Sequence, residues 1–379
     1  MSARPLTTFQ AACLIAGGGM GTGILSLPFA AQSLGLVGIV VALVASSAAS
    51  FLLYLTLSEL TRRSDPPVQL PAILAKHLFT GRIGRIFRLV FFVLFTFLLI
   101  ETMVIHIIVA SQAIEPIIHW PAWACMVLFT AVVVGVGWFG LKTVSVFEVI
   151  SVSLIAITII SLTALAGTHP VRPIPLTIGP PPTVIGLFAL FMYAFSAVFA
   201  VIQAAGHVPS AASLKLALAV GLGVNAVCTI AFLATALTAS DHVTPVGTIG
   251  LADSLSWPAV RLACSLLIAL AMLTSYWPSL IAFADVAKST FGLPARLGQL
   301  MAALPALALA AWLPLTFLDY IKLAAGAVSL VIVLLIIPAY RNCVRDQTMP
   351  SLIGRTGGGL LVPIALAIIG IAMAGGSFL

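Results

Sequence analysis

Charge is what this sequence has least of. Only 7% of its 379 residues are Asp, Glu, Lys or Arg, whereas a soluble domain carries roughly 25%. With 61% hydrophobic residues, water is not the chain's main solvent. The cysteines offer no framework. Cys13, Cys125, Cys228, Cys264 and Cys343 are odd in number and have no CxxC spacing, which points to neither disulfides nor a metal site. The groups of an integral membrane enzyme are also missing, since no HExxH motif and no His clustered with Asp or Glu stands out. No segment is low-complexity enough to be a linker, so the chain reads as one membrane domain over 1–379.

What is present is a series of long apolar runs. A helix needs about 20 apolar residues to cross a bilayer, and eleven stretches of that kind can be drawn: 9–33, 36–60, 87–114, 121–140, 144–166, 184–206, 213–238, 259–287, 297–314, 318–340 and 358–378. The first follows a short basic start at Arg4, but it is long, Gly-rich and followed directly by another span, so it reads as retained rather than as a signal peptide. With the N-terminus inside, outer segments carry only Arg172, Arg261 and Lys322, and the other fourteen of the seventeen Lys and Arg lie inside. By the positive-inside rule the N-terminus is cytoplasmic and the C-terminus outside, in a multi-pass protein expected in the plasma membrane. The +7 net charge is then an orientation signal facing anionic lipid, and a nucleic-acid partner is not expected.

The order of the spans hides a repeat. Shifting the map by about 175 residues lays spans two to five on spans seven to ten, as expected of transporters built from internal repeats. Five helices is an odd number, so the second set enters the membrane from the opposite side. Repeat one covers about 9–166 and repeat two about 184–340, with 358–378 left over. The predicted fold is therefore all-α, with eleven transmembrane helices in a five-plus-five inverted repeat and breaks in helices one and six. Such symmetry favours alternating access over a channel, whose pore would be expected to carry polar or charged rings. A non-transporting sensor of the same fold is the remaining alternative.

The first helix holds Gly17, Gly18, Gly19, Gly21 and Gly23. Each Gly costs about 1 kcal/mol against Ala in a helix interior, so the cluster predicts local unwinding or close backbone packing. Unwound backbone is tolerated where it lines a cavity. There half-helix N-termini meet a carboxylate and free carbonyls hold a cation, which are complements to an amino acid and its coupling ion. The corresponding segment of helix six, Tyr193-Ala194-Phe195-Ser196-Ala197, has one hydroxyl and no Gly.

At these residues the sequence resembles the amino acid/auxin permease family, of the amino acid-polyamine-organocation superfamily. The resemblance rests on the run Gly21-Thr22-Gly23-Ile24-Leu25-Ser26-Leu27-Pro28, on Phe191 to Ser196, and on Ile202 and Pro209 before helix seven. The aromatic amino acid permease family has a similar first helix, and Thr274-Ser275-Tyr276 looks at least as much like its members. Either resemblance implies amino acid symport, with helices 1, 2, 6 and 7 rocking against 3, 4, 8 and 9. It implies a substrate site at Gly21, Thr22, Gly23, Tyr193, Phe195, Ser196 and Tyr276. It also implies a coupling-ion site of carbonyls from Gly17, Gly18 and Met20 with the hydroxyls of Thr274 and Ser275. The sequence departs from the family in having no Asn between Ala11 and Gly23, and Ala197 and Val198 where relatives carry Gly or His.

Buried ionisable groups in a bilayer are functional candidates. Glu101 falls near the middle of helix three, where it could carry a coupled proton, face the substrate ammonium, or be a structural carboxyl. Glu59, Glu148 and Asp285 are expected near span ends, within reach of water. His106 stands five positions from Glu101, about 140° around the helix, so no direct pair is expected and His106 is placed in packing or an outer vestibule. Helix five has no deep Lys to replace sodium, which favours sodium, while Glu101 favours protons. No cofactor is expected beyond that ion, and neither the particular amino acid nor the oligomeric state can be read.

Overall fold

The computed structural model describes residues 5–64, 69–78, 81–168, 172–312, 331, 335–345, 351–354 and 359–377, and every regular element among them is helical. In chain order these are α1 (Thr8–Gly19), α2 (Thr22–Ala31), α3 (Leu36–Arg62), α4 (Leu70–His77), α5 (Gly81–Ile118), α6 (Ala122–Gly137), α7 (Leu141–Ala166) and α8 (Pro181–Ala194). They continue with α9 (Val198–His207), α10 (Ala211–Ala239), α11 (Gly247–Leu255), α12 (Pro258–Phe291), α13 (Ala295–Trp312), α14 (Ile337–Arg345) and α15 (Leu361–Ser377). Local chemistry sets the ends. Thr7 and Gln10 form a reciprocal capping box at α1, α8 and α12 begin on proline, and Gly292 closes α12 in the left-handed conformation.

Six of these helices are long and apolar enough to cross a membrane, and two bent pairs pass the same test together: α1 with α2, bent by 54°, and α8 with α9, bent by 42°. Ala122–Gly137 and Leu361–Gly376 are shorter apolar helices. Most of the predicted tenth span, 318–340, lies outside the described residues, as do Arg4, Lys322 and Arg355. The polar connections 61–86 and 239–258 between the spans contain the short helices α4 and α11. Large apolar side chains such as Val44, Val93, Phe97 and Ile160 remain exposed. A bilayer rather than water is the solvent that accommodates them.

Packing divides the helices into two groups. One gathers the bent pairs with α3 and α10, and the other gathers α5, α6, α12 and α13. Helix α7 touches both, against α1 and α10 on one side and α12 on the other, while α15 lies along α8.

Hydrogen bonds mark two ends of the molecule. At one, Leu36 N–H donates to Pro175 O at 2.8 Å, Arg172 N–H to Thr238 O at 2.9 Å, and the Arg172 guanidinium pairs with Asp241 at 2.9 Å. At the other, Arg62 donates to Pro209 O at 2.7 Å, Lys76 to Arg63 O at 3.3 Å and Asn342 to His77 O at 2.9 Å. The 27 residues of α3 run between them, a length of about 40 Å at a rise of about 1.5 Å per residue. Cysteines introduced at positions 76 and 345 are therefore expected to be labelled only from the cytoplasm and one at 241 only from outside, as the basic-residue bias requires. Labelling of 241 and 345 from the same side of intact cells would overturn this topology.

Candidate functional site

The bent pairs meet at their breaks. Only Met20 and Gly21 leave helical geometry in the first pair, whereas Gly17, Gly18 and Gly19 remain inside α1. The unwinding expected from five glycines is thus confined to two residues, and the others serve close packing. A side chain at Gly18 would stand 2.9 Å from Ala200 Cβ, and at Gly23 it would meet the Ala194 backbone. At the second break, Phe195 to Ala197, freed carbonyls must find donors in a membrane. Tyr54 from α3 donates to Phe195 O, and the Asn225 amide from α10 donates to Ala194 O at 3.3 Å while its own oxygen accepts from Thr229. Thr22 and Tyr193 join the two breaks through a 2.7 Å hydrogen bond.

Beside the breaks lies a cavity of about 150 Å³. Gly21, Thr22 and Gly23 bring the N-terminus of α2 to its wall, and Ala197, Val198 and Phe199 bring that of α9. Neither terminus has a side-chain cap, so backbone N–H groups without intrahelical partners stand there. Phe95, Tyr193 and Phe199 supply aromatic surface, and Glu101, Ser196, Ser275 and Ser279 supply polar groups. Glu101 is buried, and neither carboxyl oxygen has a hydrogen-bond partner among the described residues.

Several residues sit elsewhere than the sequence suggested. Phe195 and Tyr276 are fully buried and absent from the cavity wall; Phe195 stacks on Phe191, and Tyr276 packs edge-on to Phe129 and His106. His106 is packed, the first of the two places expected for it. Its Nδ1 engages Thr102 O on its own helix, and its other edge reaches the cavity near Gly21. It makes no hydrogen bond with Glu101 among the described residues, although both line the same space.

The two hydroxyls of α12 diverge. Thr274 bonds back to Leu270 O and Ala271 O at 3.2 and 3.1 Å, while Ser275 approaches Gly17 O and Gly18 O at 3.4 and 3.5 Å. Met20 caps α1 through its N–H. Of the carboxyl groups expected near water, those of Glu59 and Glu148 are buried and that of Asp285 is half-buried. Glu59 bonds Arg63, Tyr340 and Ser351, and the Asp285 carboxylate accepts from Gln69 at 3.0 Å. Glu148 has no exposed surface and lies against Gly17. Sequence spacing missed Tyr54 and Asn225, which hold the second break.

The fold recurs in solved transporters. A nucleobase-cation-symport-1 family transporter, closed on bromovinylhydantoin, superposes with a TM-score of 0.69 at 14% identity, covering 98% of this chain and 91% of that one. A sodium-coupled sialic acid symporter in an outward-open state gives a TM-score of 0.66 at 16% identity, with 97% and 89% covered. The Eremococcus coleocola manganese transporter gives 0.61 at 17% identity, with 97% and 86% covered. A sequence search of curated proteins returns no match.

The fold is thus that of multi-pass membrane transporters, and together with the family match it points to a transporter rather than an enzyme. More particularly, residues 6–173 match the tryptophan/tyrosine permease family, which favours the aromatic branch of the resemblance over the auxin permease branch.

Proposed function

We propose that the protein is a plasma-membrane symporter that carries aromatic amino acids with a coupling cation by alternating access. The observation that carries this reading is the composition of the cavity wall. Two helix N-termini offer N–H groups and positive dipole ends to an α-carboxylate, Glu101 offers a negative partner to the ammonium, and Phe95, Tyr193 and Phe199 offer apolar faces to an aromatic side chain. The match to the tryptophan/tyrosine permease family over residues 6–173 supports the substrate class.

In this reading the carboxylate sits at Gly21, Thr22 and Gly23, with Ser196 and Tyr193 at the opposite half-helix. The ion sits near the Gly17, Gly18 and Met20 carbonyls and the hydroxyls of Thr274 and Ser275. Tyr276 acts from behind the wall by packing against His106, and Phe195 stacks on Phe191 beneath the second break. The two bent pairs are corresponding first helices of an inverted repeat, and the group containing them moves against α5, α6, α12 and α13.

Proteoliposomes containing the purified protein test the substrate. Tryptophan, tyrosine and phenylalanine are each expected to be taken up at least about tenfold better than alanine or leucine, a preference of roughly 1.4 kcal/mol. Sodium and pH gradients imposed separately identify the coupling ion. Equal uptake of alanine and tryptophan would reject the aromatic assignment.

A further inference from the structure

The site that spacing overlooked is on α7. Glu148 has no solvent-exposed surface, no salt bridge, and no hydrogen-bond partner at either carboxyl oxygen among the described residues. A carboxyl so placed is expensive in a membrane protein unless something neutralises it.

Its surroundings are specific. Glu148 Oε2 occupies the space that a side chain on Gly17 would fill, and Thr274 Cβ would lie 2.9 Å from the same point. Gly17 therefore admits the carboxyl against the α1 backbone. The Gly17 carbonyl is also the one that Ser275 approaches at 3.4 Å. The Glu148 carboxyl, the Thr274 side chain and the Gly17 backbone thus meet where α7, α12 and α1 come together, and Ser275 approaches the Gly17 carbonyl from α12. Among the described residues the titratable group that faces Glu148 is Cys13, one turn before Gly17 on α1; α12 faces it with Thr274, and no charged side chain of α6, α10 or α12 pairs with it.

We propose that Glu148 is the charged group of the coupling site. A single positive charge, a proton or a sodium ion, binds at its carboxylate between Gly17 and Thr274. This rests on the cation-coupled reading above and adds a residue that the family resemblance does not assign. The position suits coupling. Helix α7 touches both packing groups, α1 belonging to one and α12 to the other. A carboxylate left empty at that junction strains the closed contact, and an occupied one relieves it. Glu101, on the cavity wall, is then left to the substrate.

Glu148→Gln keeps the shape and removes the charge. It is expected to retain exchange of labelled for unlabelled tryptophan within about twofold, while accumulation driven by a gradient falls at least about tenfold. A sodium gradient at equal pH and a pH gradient without sodium, applied in separate arms, tell which ion is bound. A second readout needs no substrate: the melting temperature of the purified full-length protein in sodium chloride or choline chloride, from about pH 5 to about pH 9. Wild type is expected to melt at a temperature that depends on sodium or pH, and Glu148→Gln to lose that dependence.

If the Gln variant does not fold, Glu148→Asp, which withdraws the charge by one methylene, is expected to keep the dependence with a shifted midpoint. Wild-type accumulation in Glu148→Gln, identical cation-dependent melting in wild type and Gln, an unshifted midpoint in Asp, or a wild type indifferent to both cations would each overturn the proposal. Absence of aromatic amino acid uptake by wild type would instead sink the functional reading, and the melting data would still judge Glu148.

Discussion

Gly23→Ala is expected to abolish uptake by preventing the two breaks from packing, even though it adds a single methyl group. The new Cβ would stand 2.5 Å from Ala194 Cα and 2.9 Å from Ala194 N. These are backbone atoms of α8, held in turn by the Thr22–Tyr193 bond and by Tyr54 and Asn225 at the following carbonyls. No rotamer change relieves such an overlap, so the cost lies at the upper end of the roughly 1–3 kcal/mol typical of overpacking, or above it.

Gly21→Ala is different in kind. Its Cβ would meet Ser275 Oγ at 2.6 Å and His106 Nε2 at 3.4 Å, both side-chain atoms on the cavity wall. The hydroxyl can rotate, so the fold is expected to survive while the cavity narrows. Melting curves and uptake measured together separate the cases. Gly23→Ala should lose several degrees and all transport, whereas Gly21→Ala should lose transport with nearly normal melting. Wild-type melting and uptake in Gly23→Ala would show that the two half-helices do not meet in this way.

The contrast between these glycines also marks how far the sequence can be read. Composition and the spacing of apolar runs give the membrane class and most helices, because lipid imposes length and hydrophobicity on every span. The position of the first break is legible in the glycine cluster, but the division of labour within it is not. That depends on which neighbour each Cα faces, a property of tertiary packing.

Residues around a break are harder still. Phe195 and Tyr276 lie next in sequence to residues on the cavity wall, but the helical period no longer fixes direction once the chain bends at Phe195, and Tyr276 follows its helix round into packing. The helices α4 and α11, of 8 and 9 residues, are too short to be found by a search for apolar runs of membrane length. Glu148 was misjudged because distance from the end of a span measures depth along one helix and says nothing of what leans over it. Gly17 on α1 does the covering, 131 positions earlier in the chain.

Glu101→Gln is expected to weaken aromatic amino acid binding by about 30- to 100-fold, or roughly 2–3 kcal/mol, and to slow exchange and accumulation together. Removing one partner of a buried charge pair costs about 3–5 kcal/mol when the other charge is left unpaired, and the amide oxygen recovers part of this as an acceptor. The carboxyl lines the cavity beside the breaks, is buried, and has no hydrogen-bond partner among the described residues, so it is open to pairing with a ligand's ammonium. An analogue pair isolates the interaction. Wild type should prefer tryptophan to indole-3-propionate, which lacks the ammonium, and Glu101→Gln should lose most of that preference, because the group that rewards the positive charge has gone. The pattern differs from that expected of Glu148→Gln, where exchange persists and only accumulation fails. A Glu101→Gln protein that still discriminates between the two ligands, and loses only its response to a pH gradient, would return Glu101 to the role of proton carrier and leave the ammonium to the backbone carbonyls at the breaks.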